Sequence, residues 1–224
     1  MYGKKSMEEI RVKDKLYVFC HIPKTGGVTF KNLMENNFKV CRHFSPPFDR
    51  IKSLDSNDID FISGHFDIEF PERSELFTDR EIIKFTFLRD PISRSLSFYD
   101  WSDKGDNKFD FSEFFENDRN TYYKGNTMTK FLSGISVSGV DVTEENYQKA
   151  LKNLENVNVG FTEEFDKSIK RFASKYPEVF KSIEYVKTNQ SPVKYKPSED
   201  DIRLVESVNY FDIRLYNEIR GVAE

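Results

Sequence analysis

The sequence predicts an α/β fold in three layers, a mainly parallel central sheet flanked by helices. Three observations point there. Short apolar runs of strand length recur along the chain, they alternate with segments whose apolar residues fall at helical spacing, and several runs end in glycine or polar residues, as strands do when a site forms at their carboxyl ends.

Leu16-Tyr17-Val18-Phe19-Cys20 is the first strand. It ends in a glycine-bearing loop, after which Phe30, Leu33 and Met34 place a helix over Val28 to Asn36. The runs Ile59 to Gly64 and Ile82 to Leu88 read as further buried strands. Asp90-Pro91 opens a helix to about Trp101: Asp serves as its cap, and Pro suits the first helical position because no N–H is needed there. Residues 102–126 are polar and aromatic by turns, which predicts short helices and a mobile loop rather than sheet. Thr143 caps a helix to about Asn156, with Glu144 and Glu145 in its positively polarised first turn. Val157 to Phe161 is another strand, and Phe165, Ile169 and Phe172 mark the next helix. Ile183 to Lys187 reads as a last short strand. A long helix follows from about Pro197, with Ile202, Val205, Val208, Phe211, Leu215 and Ile219 on one face.

At 224 residues the chain is long enough for one sizeable core, and its composition marks no division, so residues 1–224 read as a single domain. Aromatic residues make up 15% of it, enough to fill an interior despite a charged fraction of 32%. A net charge of -4 argues against the broad basic footprint that nucleic acid or an anionic membrane requires, though not against a local basic pocket. The segment from Met1 to Lys15 lacks the apolar core of a signal peptide, and no run approaches a membrane span. The expectation is a soluble, cytoplasmic protein. Cys20 and Cys41 are too few for a disulfide framework or a cysteine-built zinc site, and read as small reduced core residues.

The chemistry begins at His21-Ile22-Pro23-Lys24-Thr25-Gly26-Gly27. Glycines between a strand and a helix let backbone N–H groups converge on phosphate oxygens, the helix N-terminus adds partial positive charge, and Lys24 adds a full one. Lys24 precedes the glycines, so this is not the Walker A arrangement. Taken alone, the pentapeptide from Pro23 to Gly27 fits an ordinary strand-to-helix turn equally well. A second cluster, Arg89-Asp90-Pro91-Ile92-Ser93-Arg94-Ser95-Leu96-Ser97, puts Arg89 at a strand end and Ser97 two turns into a helix. Arg suits phosphate because its fork donates two parallel hydrogen bonds, and a serine hydroxyl can add a third. The alternative is that Arg89 pairs with Asp90 or a carbonyl and Ser97 is a small packing residue.

The first motif resembles the 5′-phosphosulfate loop of PAPS-dependent carbohydrate sulfotransferases, the heparan sulfate 6-O and 2-O types and their bacterial relatives (sulfotransferase family 2). The second resembles their 3′-phosphate motif. The order of both agrees, and shorter stretches, Asn126 to Gly134, Val159 to Phe165, Asn189 to Ser191 and Asp212 to Tyr216, extend the resemblance over nearly the whole chain. It implies a P-loop-type fold, with Lys24 on the 5′-phosphosulfate and Thr25, Gly26, Gly27 and Thr29 lining the phosphate. Arg89 and Ser97 recognise the 3′-phosphate that distinguishes PAPS from ATP, Arg94 ranks behind them, and Asn189 and Ser191 close the donor pocket. Val28 departs from the family, which usually has Ser or Thr there.

The implied reaction moves a sulfuryl group from PAPS to a hydroxyl acceptor and releases PAP, with no metal required. An alcohol needs a base near neutral pKa. Of the three histidines, His21 lies in the loop and reads as structural, and His43 reads as a surface loop residue. His65 follows a strand and a glycine, at the edge where parallel sheets place ligands. The family carries a catalytic His near this position, so the resemblance implies His65 as base, with Asp67 or Glu69 as alternatives. The acidic balance favours a sugar or glycolipid over a long polyanion as acceptor. Residues 102–126 are the expected acceptor-side insertion, with Tyr122 and Tyr123 for stacking. A P-loop nucleotide kinase and a non-catalytic PAP-binding module are the competing readings.

Overall fold

The computed structural model describes residues 14–44, 59–73, 80–103, 110–116, 125–135, 140–186 and 195–223. Its centre is a five-stranded sheet made of β1 (Lys15–Cys20), β2 (Cys41–Phe44), β3 (Phe61–Gly64), β4 (Glu81–Leu88) and β5 (Val157–Phe161), in the order β2-β3-β1-β4-β5. Every pairing is parallel. Parallel neighbours need crossover connections, and the helices supplying them cover both faces.

The side-chain period of two divides the strand residues between those faces. Tyr17, Phe19, Phe85 and Phe87 pack with Phe30 and Leu33 of α1 (Gly27–Glu35) and with Ile169 and Phe172 of α7 (Phe165–Lys175). Cys20 and Leu88 face the other way. They meet Met128 and Leu132 of α5 (Thr127–Leu132), Ala150 of α6 (Glu144–Leu154) and Leu215 of α9 (Tyr210–Ala223). Leu16, Val18, Ile62 and Phe66 extend that second face toward the β2 edge, beside which lies the short α2 (Phe70–Arg73). A fourth cluster joins α3 (Pro91–Asp103), α4 (Phe111–Glu116) and α8 (Glu199–Val208) through Phe98, Tyr99, Phe111, Phe114 and Val205. The aromatic half of 102–126 is thus partly interior: α4 is packed, while 104–109 and 117–124, with Tyr122 and Tyr123, lie outside the described residues.

Local signals set most helix starts. Asp90 caps α3 by accepting from the Ser93 N–H at 2.7 Å, and Thr143 forms a capping box with Asn146 at the start of α6. Three expectations are corrected. Residues 183–186 form no strand; Ile183 and Val186 are exposed, and the preceding turn is held by Asn37, which exchanges two 2.9 Å hydrogen bonds with Ser182. His43 lies on β2, an edge strand, not in a loop. The C-terminal helix is two helices, broken at Asn209.

Asn209 is fully buried, and its amide donates to Val205 O (2.9 Å) and Ser95 Oγ (3.3 Å) while accepting from Asn126 N–H (3.1 Å). Asn126 in turn accepts from the N–H groups of Phe211 and Asp212. Gly125 abuts the break: a Cβ there would stand 2.1 Å from Val208 O. Among the described residues no helix is long and apolar enough to cross a membrane.

Candidate functional site

The predicted loop runs from the end of β1 into α1 at the carboxyl edge of the sheet. Two of its residues have left-handed backbone, Gly26 at φ 80° and, without the licence of glycine, Lys24 at φ 69°. The strained Lys24 conformation is held from across the sheet: Arg89, just past β4, donates Nη1–H to Lys24 O at 3.0 Å. Gly27 serves close approach instead, since a Cβ there would lie 2.0 Å from the His21 ring. Thr25 is fully buried and donates its hydroxyl to Ile22 O at 2.8 Å, so any contact it makes to an anion is through its backbone N–H. Thr162, after β5, places its hydroxyl 2.8 Å from Thr25 O and 3.0 Å from Leu88 O, pinning the loop to the β4 end.

Helix α1 begins with no side-chain cap and no carboxylate in its first turn, so its positive end is uncompensated from within. Thr29 is buried in that turn, and Val28, where the family has a hydroxyl, is 36% exposed. Lys24 and Arg89 reinforce the charge. Burial lowers the pKa of each, and Arg89 lowers that of Lys24 further. Neither forms a salt bridge with a described carboxylate, so two partly desolvated cations converge on one loop. Of the alternative partners for Arg89, the backbone carbonyl is present, that of Lys24, while Asp90 caps α3 and is itself held through its N–H by Glu163 at 2.9 Å.

Ser97 sits half-buried on α3, and Trp101, one turn on, brings its ring centroid to 5.6 Å from Lys24 Nζ. Sequence reading missed Trp101. Its signal is the four-residue step from Ser97, which puts both on one helix face. Arg94 points into the interior: it is fully buried, and its guanidinium finds no hydrogen-bond partner among the described residues. Burial lowers its pKa, and Asp212 supplies a compensating charge. Asp212, also fully buried, accepts from Met128 N–H (3.0 Å), Thr129 N–H (2.7 Å) and the Thr129 hydroxyl (2.8 Å). Burial raises its pKa and Arg94 opposes that shift. Asn189 and Ser191 lie outside the described residues.

The three histidines lie side by side, His43 on β2 and His65 and His21 just past the ends of β3 and β1. His65, after β3, has its ring 4.4 Å from that of His21 and 6.2 Å from that of His43. Its Nδ1 is 2.8 Å from His21 O. A carbonyl only accepts, so Nδ1 carries the proton and Nε2 is the basic nitrogen. Burial lowers the His65 pKa against the opposing effect of that hydrogen bond, so the ring is neutral near pH 7. His21 is buried against Phe19 with its pKa held well below the usual range by that burial. His43 is exposed and pairs through Nδ1 with Ser63 Oγ at 3.0 Å.

The two alternative bases are engaged elsewhere. Asp67 is buried in a 2.6 Å ion pair with Arg73 and accepts from Glu69 N–H. Glu69 is bound by Lys149 and Asn153, whose hydrogen bonds outweigh its burial and lower its pKa. Cys20 donates its thiol to Phe66 O and is pushed up in pKa by burial; Cys41 is pushed up to about 11 in the same way. Neither is a poised nucleophile.

In comparison with known proteins, no curated sequence matches this chain. Its fold is similar to that of a sulfotransferase from Alicyclobacillus acidocaldarius, 10% identical over 90% of this chain and 94% of that one, with a TM-score of 0.50. The mouse sulfotransferase SULT7A1, solved with PAP, is 13% identical over 90% of this chain and 66% of that one, with a TM-score of 0.40. The model of the Sulfotransferase family matches residues 9–217, nearly the full length. Because that match spans nearly the whole chain, this chain belongs to the sulfotransferase family.

Proposed function

We propose that this protein moves a sulfuryl group from PAPS to a hydroxyl of a sugar or glycolipid by in-line displacement. The observation that carries the reading is the convergence of Lys24 and Arg89, two partly buried cations without a described carboxylate partner, on a strained glycine loop at the start of an uncapped helix. Such an arrangement suits a polyanion, and its backbone amides are placed before the ligand arrives. In this proposal the N–H groups of Thr25, Gly26 and Gly27, with Thr29, hold the 5′-phosphosulfate, and Lys24 balances charge on its oxygens. Arg89 has five N–H donors. One secures Lys24 O, and the others reach the 3′-phosphate together with the Ser97 hydroxyl. Asn189 and Ser191 belong to the same donor site.

His65 is the base, because its Nε2 is the basic nitrogen of a neutral ring while Asp67 and Glu69 are tied in ion pairs. The acceptor hydroxyl gives its proton to Nε2 as its oxygen forms a bond to sulfur. The bond from sulfur to the donor's 5′-phosphate oxygen breaks, its electron pair leaving with PAP. Lys24 meets the charge that develops on that oxygen, as cations do in phosphoryl transfer.

A transfer assay with sulfate-labelled PAPS against sugar, lipid and phenolic acceptors tests the reading, with Lys24→Ala and His65→Ala as controls. Transfer to a sugar that disappears in both variants, with PAP bound more tightly than ADP in the absence of magnesium, is the expected result. Preference for ADP or ATP would overturn the donor assignment. PAP binding with no transfer to any acceptor would leave a binding module instead.

A further inference from the structure

Trp101 is the only tryptophan in the chain, and at 52% exposure it is a large aromatic surface turned half toward water. Its position is fixed from behind. The ring stacks on buried Phe98 with centroids 5.9 Å apart and planes at 28°, and Phe98 is itself wedged against Phe114. Lys24 Nζ stands 5.6 Å from the indole centroid, a cation–π contact.

That distance places the indole beside the reacting centre. A lysine that binds a sulfuryl oxygen does so at roughly 2.7–2.9 Å. An attacking hydroxyl must then approach the sulfur to about 3–3.5 Å. The acceptor's ring therefore lies within the same few ångströms of Nζ as the indole does. The indole is therefore within reach of the group that carries the attacking oxygen.

We propose that Trp101 is the acceptor platform, on which a pyranose lays the C–H face of its ring with its hydroxyls left at the hydrated edge. This rests on the PAPS reading above and adds the surface that selects the acceptor. A platform half in water suits a ligand apolar on one face and hydrated at its rim; a phenol would gain most from an enclosed apolar pocket. When the donor or PAP binds, Lys24 exchanges the indole face for the oxygens at the 5′-phosphate end, and the indole gives up that cation.

Since no other tryptophan contributes, fluorescence excited at the red edge, where the tyrosines barely absorb, reports this site alone. PAP affinity is first measured by calorimetry for the native chain, Trp101→Ala and Trp101→Phe. The PAP-saturated native chain is then titrated with methyl β-glucopyranoside, methyl β-galactopyranoside and N-acetylglucosamine, with glycerol as the hydroxyl control. The expected result is PAP affinity within twofold in all three proteins and a saturable fluorescence change with at least one pyranoside but not with glycerol. Labelled-sulfate transfer to that sugar should show a KM raised about tenfold in Trp101→Ala and less in Trp101→Phe, the size of an aromatic stacking contact. A PAP affinity reduced tenfold in Trp101→Ala would make the indole an adenine platform and overturn the proposal. So would an absence of response to every pyranoside, or an unchanged KM. If the native chain does not bind PAP at all, the donor reading fails first, an outcome separate from these.

Discussion

Replacing Gly27 by alanine tests whether the loop is built around a buried histidine. The new Cβ would stand 2.0 Å from His21 Cδ2 and 2.1 Å from Nε2, so the imidazole must retreat by more than an ångström. It has little room to do so. One neighbour is Phe19, stacked at 5.3 Å, and another is the His65 ring at 4.4 Å. Overpacking of this kind costs about 1–3 kcal/mol, offset by up to about 1 kcal/mol because alanine restricts the unfolded chain. The net loss, about 1–2 kcal/mol, corresponds to roughly 2–8 °C in Tm for a chain of this size. Thermal unfolding followed by circular dichroism measures it. The clash is with one side chain, so Gly27→Ala combined with His21→Ala should lose less than the sum of the single changes. A Gly27→Ala protein that melts with the native chain, or a strictly additive double variant, would refute the packing described for this loop.

Arg89→Ala removes both the proposed phosphate donor and the hydrogen bond that holds Lys24 O, so PAP binding by calorimetry should weaken about 10- to 100-fold, the scale of charge-assisted hydrogen bonds; an unchanged affinity would remove Arg89 from the site. With His65 as the proposed base, its lowered pKa keeps it neutral at neutral pH, so kcat/KM should be flat from pH 7 to 8 and fall only below about 6.5. A rate still rising between pH 7 and 8 would point to a different base. Stability follows a related rule through His21, whose folded pKa lies well below its unfolded value. Below about pH 6.5 the unfolded chain takes up a proton that the folded chain refuses, so stability present above that pH is lost as pH falls toward the folded value. Urea unfolding at several pH values should show this slope, and His21→Phe, which keeps an aromatic ring on Phe19, should flatten it. Asp212→Ala should destabilise by about 3–5 kcal/mol, because it strips three donors and leaves Arg94 buried without its compensating charge; Arg94→Met in the same chain should recover part of that loss in urea unfolding, and no recovery would mean the two charges are not coupled.

Much of the site was legible because its chemistry is local. Cys20 to Gly27 is a strand, a turn and a helix start within a few residues, and a left-handed turn that needs glycine announces itself in the sequence. Asp90, Thr143 and the α7 apolar spacing were equally readable, since a cap or a helix face depends on neighbours three or four residues away. The errors share one cause. The apolar face from Ile202 to Ile219 is continuous in sequence, but the helix breaks because Asn209 bonds to Asn126 and Ser95, both far along the chain. The run at Ile183 has strand composition, but the turn before it is tied to Asn37 and no described strand pairs with it, and β2 is a strand despite its polar exposed residues because the β3 edge accepts it.

The sequence by itself determined the layered α/β class, the glycine-bearing turn between strand and helix, and the two cations, since apolar period, glycine conformation and charge are properties of the residues in order. Only the tertiary structure decided how those pieces work together. Arg89 reaches across the sheet to hold the Lys24 backbone, Thr162 ties the loop to β4, the His21 carbonyl sets the proton of His65, and Trp101 comes to rest beside Lys24. Each of these contacts joins residues at least 44 positions apart, a separation at which only the packing of the sheet and its helices sets distance.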